Sequence, residues 1–365
     1  MTAEWSDDLQ LLIRLLRRDH DGAARCLRSR RAPADDFLAF IVEHKLAVAG
    51  RNALEGSPLR GAFSPERLAA LGDVCRARTT RAQALLAELE HLADRFHDAG
   101  QPFVLLKGPY LAARYYGNEL GREFVDLDVL VPRADRARAF RLLGAAGYAR
   151  KSRTLLGVGL TCFFVHGFDF TNGRGKVDLH WALSRHPSFR IDERTIWVSR
   201  QSYRVAGRAY DVLSDEHDVV LAVLSLLRDI ERGGAKLKNL VDLFCILDAL
   251  DATQDWDAFL AARRRERILD PTVNVLRLCL AIAGTPDLFP NLQSTLERYA
   301  GRAVPLRLDA LPFVLAPTRF GLGNKMWSAR VHEGSPATWF LWWAVSLPFR
   351  TAVRNRRRNS AAAPS

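Results

Sequence analysis

Apolar residues recur at helical spacing through most of the first hundred positions. Leu85, Leu89 and Leu92 lie three or four residues apart, which places them on one face of a helix. They belong to a long helix that the pattern predicts over residues 65–99, after two shorter helices. We therefore expect residues 1–100 to form an N-terminal helical region.

After residue 100 the pattern changes to short apolar runs, which indicate strands. The run TNGRG at residues 171–175 separates two of them and is typical of a hairpin turn. The pattern predicts strands at 103–106, 124–131, 162–170 and 176–181 and helices at 109–116 and 135–146. We expect residues 101–213 to form a mixed core.

Helical spacing returns at Ser214, a residue type suited to an N-cap. A C-terminal helical region is expected over residues 214–335, followed by an aromatic segment and a basic tail over residues 336–365. The expected fold class is therefore α+β, with a small mixed-sheet core flanked by N-terminal and C-terminal helical regions.

Composition narrows the class of protein. The chain has 365 residues, 48% of them hydrophobic, and a formal net charge of +12. This excludes an acidic disordered protein, but a basic surface alone does not establish nucleic-acid binding. The five cysteines include no CxxC pair, so we expect reduced thiols. We expect a cytoplasmic location, because the sequence shows no secretory signal and no apolar run of the roughly 18 residues that cross a bilayer.

An aromatic run followed by five arginines lies near the end of the chain. Residues 339–349 contain three tryptophans and two phenylalanines, and the five arginines lie within residues 350–358. Aromatic residues beside cations are typical of segments that lie on an anionic membrane surface. One interpretation is peripheral membrane contact through residues 339–358. The other is a final helix packed on the body with a frayed basic tail.

Two carboxylates stand two residues apart in the apolar run VDLDVLV. On a strand, Asp126 and Asp128 share one face and the apolar residues take the other. Neighbouring carboxylates repel each other unless a cation neutralises them, and Mg²⁺ prefers oxygen ligands. Asp178 has a similar setting in KVDLHW, on the same face as Lys176. Three such acids on adjacent strands suit nucleotidyl transfer, whereas an isolated acidic pair is more often simply solvated.

Upstream of these acids lies a Lys-Gly-Pro turn. Lys107, Gly108 and Pro109 end one predicted strand and begin a helix. Free N–H groups, a glycine that allows close approach and a lysine charge suit a phosphate group, although a plain turn is the more frequent explanation. Arg122 is a further cation that could reach a phosphate, or else a surface arginine.

These motifs together carry a resemblance to a known family. In chain order they are LLKG at 105–108, Arg122, DLDVLV at 126–131 and VDLHW at 177–181. They resemble the bacterial nucleotidyltransferase-like family of the polymerase-β superfamily. The resemblance implies that Asp126 and Asp128 bind metal ions. It implies that Asp178 is the third catalytic acid and metal ligand.

The resemblance also implies a nucleotide site. Its expected residues are Lys107, Gly108, Arg122, Lys176 and Lys238. Pro109 departs from the Gly-Ser or Gly-Gly usual in the superfamily. It supplies neither an N–H nor a hydroxyl, so the neighbouring cations are expected to compensate. Lys238 has an alternative partner in Asp242, four residues further along a predicted helix.

Two residues next to Asp178 have alternative roles. His180 shares a face with Asp178 and could touch the substrate or a metal-bound water, but a histidine bonded within the fold is the more frequent case. Trp181 faces the other way and is expected in the core.

The implied reaction is Mg²⁺-dependent transfer of a nucleoside monophosphate from an NTP, such as ATP, to a hydroxyl or phosphate acceptor. Two Mg²⁺ ions are expected, with Mn²⁺ as a substitute. The acceptor class is a small molecule, a peptide or a protein, in a biosynthetic setting, with nucleic acid less favoured. Two alternatives stay open: a catalytically weak nucleotide-binding or scaffold protein, and a DxD glycosyltransferase. The latter normally places a βαβ unit before its acids, where this chain has predicted helices.

Overall fold

The N-terminal part of the chain is helical in the computed structural model, which describes residues 4–151, 162, 165–184, 186, 188–232, 234–283 and 288–304. Its helices are α1 (Glu4–Leu16), α2 (His20–Ser29), α3 (Ala34–Glu43), α4 (Ala47–Glu55) and α5 (Pro65–Asp98), with a 3₁₀ turn at Pro58–Ala62. Ser64 caps α5 by accepting the N–H of Arg67, and Gly100 follows its end with a positive φ of 60°. The long helix predicted over residues 65–99 is therefore confirmed.

Seven strands within the described residues form one mixed sheet. They are β1 (Val104–Leu105), β2 (Leu127–Leu130), β3 (Ala149–Arg150), β4 (Gly167–Thr171), β5 (Lys176–His180), β6 (Gln201–Val205) and β7 (Arg208–Val212). Their order is β3-β4-β5-β2-β1-β7-β6. β2 pairs in parallel with β5 and β1 with β7, and the other neighbours are antiparallel. The two strands predicted to carry the acids are therefore direct neighbours.

Alternation separates the two faces of β4 and β5. Phe168, Phe170, Val177 and Leu179 are buried, while the residues between them are half-buried. Trp181 is also buried and its ring packs against Phe168 and a neighbouring phenylalanine. The prediction that Trp181 lies in the core is confirmed. The opposite face of both strands is left for the polar residues.

The helices described beside the sheet are α6 (Pro109–Tyr115), α7 (Arg136–Ala145) and α8 (Glu193–Ser199), with a 3₁₀ turn at Arg133–Asp135. The C-terminal part contains α9 (Asp215–Glu231), α10 (Leu237–Leu250), α11 (Trp256–Arg265), α12 (Leu269–Ala283), α13 (Pro290–Glu297) and a 3₁₀ turn at Ala300–Arg302. α9 is buried on nearly all sides and packs against α10 and α12. A helix with this burial is a core element rather than a surface one.

The structure differs from the predicted elements in several places. Cys162 is helical and β4 begins at Gly167, so the strand predicted over 162–170 is shorter. Ser214 is the N-cap of α9, but its Oγ lies 2.7 Å from Nδ1 of His217 and makes no capping bond. β3 and the β6–β7 hairpin were not predicted.

The predicted α+β class is confirmed, with a mixed sheet and helical regions before and after it. The proposed division at residues 100, 213 and 335 stays a prediction. Among the described residues, no helix has the length and apolar character to cross a membrane. Residues 339–358, for which membrane contact and packing on the body were the two interpretations, lie outside the described residues.

Candidate active site

Three carboxylates lie side by side across the centre of the sheet. Asp128 on β2 is opposite Asp178 on the parallel strand β5, and Asp169 on β4 is opposite Asp178 on its other side. The period-two alternation of strands puts all three on the face away from the buried aromatic residues. The structure thus brings together two of the predicted acids and adds Asp169, which was not predicted.

Asp126, the first acid of the DxD motif, lies just before β2, which begins at Leu127. Its carboxylate receives a hydrogen bond from Nζ of Lys176, at 2.9 Å from Oδ2. The same Nζ lies 2.8 Å from Asp178 Oδ1 and 3.7 Å from Asp169 Oδ2. Lys176 is therefore surrounded by three carboxylates, and its ammonium is the counter-charge that allows them to lie together.

The pKa values of Asp178 and Asp128 are shifted in opposite directions. Burial raises the pKa of Asp178, and the charge of Asp128 and a hydrogen bond with Asp169 raise it further, against the lowering effect of Lys176. Burial also acts to raise the pKa of Asp128, but a hydrogen bond with His180 and the charges of Lys107 and Lys176 hold it well below its usual value. The surroundings thus favour the ionised form of Asp128 and raise the proton affinity of its neighbour Asp178, a difference often found in acid–base pairs.

His180 completes a group of potential metal ligands. Its Nε2 lies 3.3 Å from Asp128 Oδ1. Three potential ligand atoms lie within 4.8 Å of one another, one from each of Asp128, Asp178 and His180. At these distances they could coordinate the same ion. Two carboxylates suit Mg²⁺, and the imidazole suits Mn²⁺ and other transition ions. The residues present therefore fit a divalent ion.

The approach of His180 to Asp128 depends on a glycine in the next strand. A Cβ on Gly167 would lie 2.7 Å from the carbonyl oxygen of Leu179 and 2.9 Å from Nδ1 of His180. Both separations are shorter than packed atoms allow. Gly167 is therefore a close-packing position that fixes the His180 ring.

The Lys-Gly-Pro turn lies next to the acids. The N–H of Leu106 donates to the carbonyl oxygen of Asp128 at 2.9 Å, which joins the end of β1 to β2. Gly108 has φ 68° and ψ −122°, and Pro109 follows it as the first residue of α6. This conformation is essentially restricted to glycine. The turn predicted at Gly108 is thus present.

Lys107 is half-buried between the turn and α9, where its ammonium forms a hydrogen bond. Its Nζ donates to Oγ of Ser225 on α9 at 2.6 Å, and that hydroxyl donates to the carbonyl of Leu221. Burial lowers the pKa of Lys107, and the charge of Asp128 opposes this effect. Lys107 therefore lies within electrostatic reach of Asp128, and its predicted role in nucleotide binding stays a prediction.

Arg122 is buried, so it is not the surface arginine considered above. Its side chain is 5% exposed and forms a bidentate ion pair with Asp242 on α10. Asp242 also accepts a hydrogen bond from the hydroxyl of Tyr116 at 2.8 Å. The alternative Lys238–Asp242 pair is thus replaced by Arg122 and Tyr116. Burial, followed by the charge of Arg122, lowers the pKa of Lys238 to about 7.

Comparison with known families decides the assignment. The profile of the family described as uncharacterised nucleotidyltransferase matches residues 31–284, which is more than half of the chain. The chain belongs to this family. It is a nucleotidyltransferase, which favours nucleotidyl transfer over the glycosyltransferase alternative. No curated protein matches the sequence.

Solved structures similar to this nucleotidyltransferase include two of the antibiotic-resistance factor ANT(2'')-Ia. Its solution structure has 16% identity and a TM-score of 0.36, covering 52% of this chain and 94% of that one. Its crystal structure with adenylyl-2''-tobramycin has 16% identity and a TM-score of 0.37, covering 50% and 98%. A nucleotidyltransferase-like protein from Paracoccidioides brasiliensis has 14% identity and a TM-score of 0.29, covering 54% and 91%. The family assignment does not depend on these likenesses.

Sequence reasoning missed one polar residue of the nucleotidyltransferase site. Asp169 was passed over because its strand was predicted from residue 162, with no face assigned to its residues. The signal was present in the alternation of Phe168, Asp169 and Phe170. His180 was considered, and the structure places it against Asp128.

Proposed function

We propose that this nucleotidyltransferase moves a nucleoside monophosphate from an NTP to a hydroxyl or phosphate acceptor and releases pyrophosphate. One observation carries the proposal. Asp128 and Asp178 lie directly opposite each other on the parallel strands β2 and β5, beside the turn formed by Lys107 and Gly108. Paired carboxylates next to a cation-bearing turn suit the positioning of a reacting phosphate.

In the proposed reaction, the acceptor oxygen forms a bond to the α-phosphorus of the NTP. The bond from that phosphorus to the pyrophosphate oxygen breaks, and the pyrophosphate leaves with the electron pair. Asp178 accepts or directs the proton of the acceptor, a role consistent with its raised pKa. Asp128 stays ionised, so the two neighbouring acids have different roles.

The divalent ion, Mg²⁺ or Mn²⁺, is part of the proposal. Asp128 and Asp178 would hold it, with His180 completing the ligands that the structure groups together. When bound, it would neutralise the charge on the reacting phosphates. Asp126, the other predicted metal ligand, is included in the proposed metal site. In the structure its carboxylate accepts a hydrogen bond from Lys176.

The triphosphate would lie against the cations around the turn. Burial lowers the pKa of Lys107 and of Lys238, and a bound triphosphate would favour the charged form of both side chains. Gly108 allows a phosphate to approach the backbone. Arg122 acts differently in this proposal, because its Nε and one terminal nitrogen donate to Asp242 and the other terminal nitrogen donates to the carbonyl of Glu123. It positions α10, which carries Lys238. The acceptor remains a small molecule, peptide or protein.

The test follows the transferred group directly. The full chain is incubated with each α-labelled NTP, Mg²⁺ or Mn²⁺ and candidate acceptors, and products are examined by mass for an added nucleoside monophosphate. Asp128→Asn should lower the transfer rate by roughly 100-fold or more. Asp98→Asn, at an exposed position on α5, is the matched control and should leave the rate unchanged. NTP binding without transfer by the wild type would instead support the nucleotide-binding alternative.

A separate proposal concerns residues 339–358, whose aromatic and arginine composition suits peripheral contact with an anionic membrane. Liposome co-sedimentation of the full chain should fall when the chain is ended at residue 335. Unchanged co-sedimentation would reject this contact and favour packing of the segment on the body.

A further inference from the structure

We propose that Lys176 permanently fills one of the two cation positions expected in this site, so that the nucleotidyltransferase itself binds a single divalent ion. This inference rests on the proposed function for the location of the metal site. It concerns how many ions the chain holds, which the proposed reaction leaves open.

The surroundings of Lys176 are those of a bound cation. Its ammonium lies 2.9 Å from Asp126, 2.8 Å from Asp178 and 3.7 Å from Asp169. These acids come from the segment before β2, from β5 and from β4. A lysine ammonium carries three N–H donors and no acceptor; it donates a hydrogen bond to Asp126 and forms ion pairs with Asp178 and Asp169. Its side chain is 26% exposed, which weakens screening by water.

The remaining donors form a different group. Asp128, Asp178 and His180 place one donor atom each within 4.8 Å of one another. Asp126, which the DxD motif assigns to metal binding, is not in this group. Asp178 belongs to both sets, because it contacts the ammonium and also faces Asp128 across β2 and β5. The site therefore divides into one position occupied by Lys176 and one position with ligands for an ion.

A second divalent ion is disfavoured by charge. At the ammonium position it would meet a cation in a half-buried site, where like charges repel more strongly than in water. It would also need Asp126 and Asp169, whose carboxylates already face Lys176. The alternative is that Lys176 leaves the acids when metal arrives and contacts the triphosphate instead. The two cases predict different numbers of bound ions.

The experiment counts Mn²⁺ ions by electron paramagnetic resonance and isothermal titration, on the full chain without nucleotide. The wild type should bind one Mn²⁺ per chain. Lys176→Met should bind two, because Asp126 and Asp169 lose their counter-charge. Lys176→Arg keeps the charge and should bind one. Lys45→Met removes an exposed lysine and is the matched control, which should also bind one.

Two further variants keep the test decisive if Lys176→Met folds poorly, which circular dichroism would show. Asp126→Asn should still bind one Mn²⁺, and Asp128→Asn should bind none. The proposal is overturned by two ions or none in the wild type, by one ion in a folded Lys176→Met, or by loss of the ion in Asp126→Asn. Because no NTP is present, failure of nucleotidyl transfer would leave these counts unaffected. Conversely, two ions in an active wild type would remove this inference and leave the proposed function standing.

Discussion

Arg122 and Asp242 form a bidentate ion pair that is almost completely buried, with side chains 5% and 7% exposed. The pair joins the segment before β2 to α10, and Tyr116 donates a further hydrogen bond to the same carboxylate. Removal of one partner leaves the other charge buried without compensation. The pair therefore fixes the relative position of the sheet centre and a C-terminal helix.

Asp242→Ala should lower the free energy of unfolding by about 3–5 kcal/mol, measured by urea denaturation. The exposed pair of Arg298 and Asp257, with side chains 51% and 64% exposed, provides the matched control. Asp257→Ala should cost at most about 1 kcal/mol. Equal losses in both variants would contradict a special role for the buried pair.

The raised pKa of Asp178 predicts a pH dependence of stability in metal-free protein. Its pKa in the folded state lies above the unfolded value of 3.8, so the protonated carboxyl favours folding. The stabilisation is complete below about pH 3.8. It is lost as the pH rises through that value toward the raised pKa. The unfolding free energy of the wild type should therefore fall across this range by at most about 1.4 kcal/mol per pH unit.

Asp178→Asn should lack this part of the slope, in denaturation curves recorded without divalent ions. In Asp98→Asn, a change at an exposed site, the unfolding free energy should depend on pH in the same way as in the wild type. A slope in Asp178→Asn that equals the wild-type slope would show that Asp178 is ionised in the folded protein.

Alternation along the chain was sufficient to predict that Asp128 and Asp178 each lie opposite the apolar face of their own strand, because that property is local. The contact between Lys176 and Asp126 was not predictable in the same way. It depends on the parallel pairing of β2 with β5, elements 50 residues apart. Sequence patterns define faces, whereas the partners of a charged group depend on which strands become neighbours.

The β6–β7 hairpin shows a second limit. Its turn uses Ala206 and Gly207, both with positive φ, in place of the Asn-Gly or Asp-Gly that marks such turns in a sequence. Arg204 and Arg208 beside the turn also weaken the apolar alternation. The strands form because Val212 pairs with Leu105 of β1 at the sheet centre, which is tertiary rather than local information.

Gly108 offers a test of the turn. Its φ of 68° and ψ of −122° are strained for any residue with a Cβ, so Gly108→Ala should cost about 1–3 kcal/mol of stability. It should also weaken NTP binding. Gly144→Ala is the matched control, since Gly144 lies in α7 and a Cβ there would meet no atom within 4 Å. That variant should gain roughly 0.5–1 kcal/mol, and both are measured by chemical denaturation and nucleotide titration.

Ser225 offers a test of Lys107. Ser225→Ala removes the hydroxyl that accepts a hydrogen bond from the Lys107 ammonium, which should loosen the position of that ammonium. We expect the KM for NTP to rise roughly 3–10-fold, the loss of about one hydrogen bond, with kcat changed less. Thr80→Ala removes a similar hydroxyl bond to the carbonyl four residues earlier in α5 and should leave KM unchanged. An unchanged KM in Ser225→Ala would show that the hydrogen bond from Lys107 to Ser225 does not contribute to nucleotide binding.

The strand that carries Asp128 is the fourth of seven in the sheet, with β5 on one side and β1 on the other. Its backbone groups can reach solvent only when pairing on both sides is broken, so their amide hydrogens should be among the slowest to exchange. The spacing of Asp128 and Asp178 is thereby set by the rigid middle of the molecule. Any motion that admits substrate or releases product must then come from the helices and turns around the sheet.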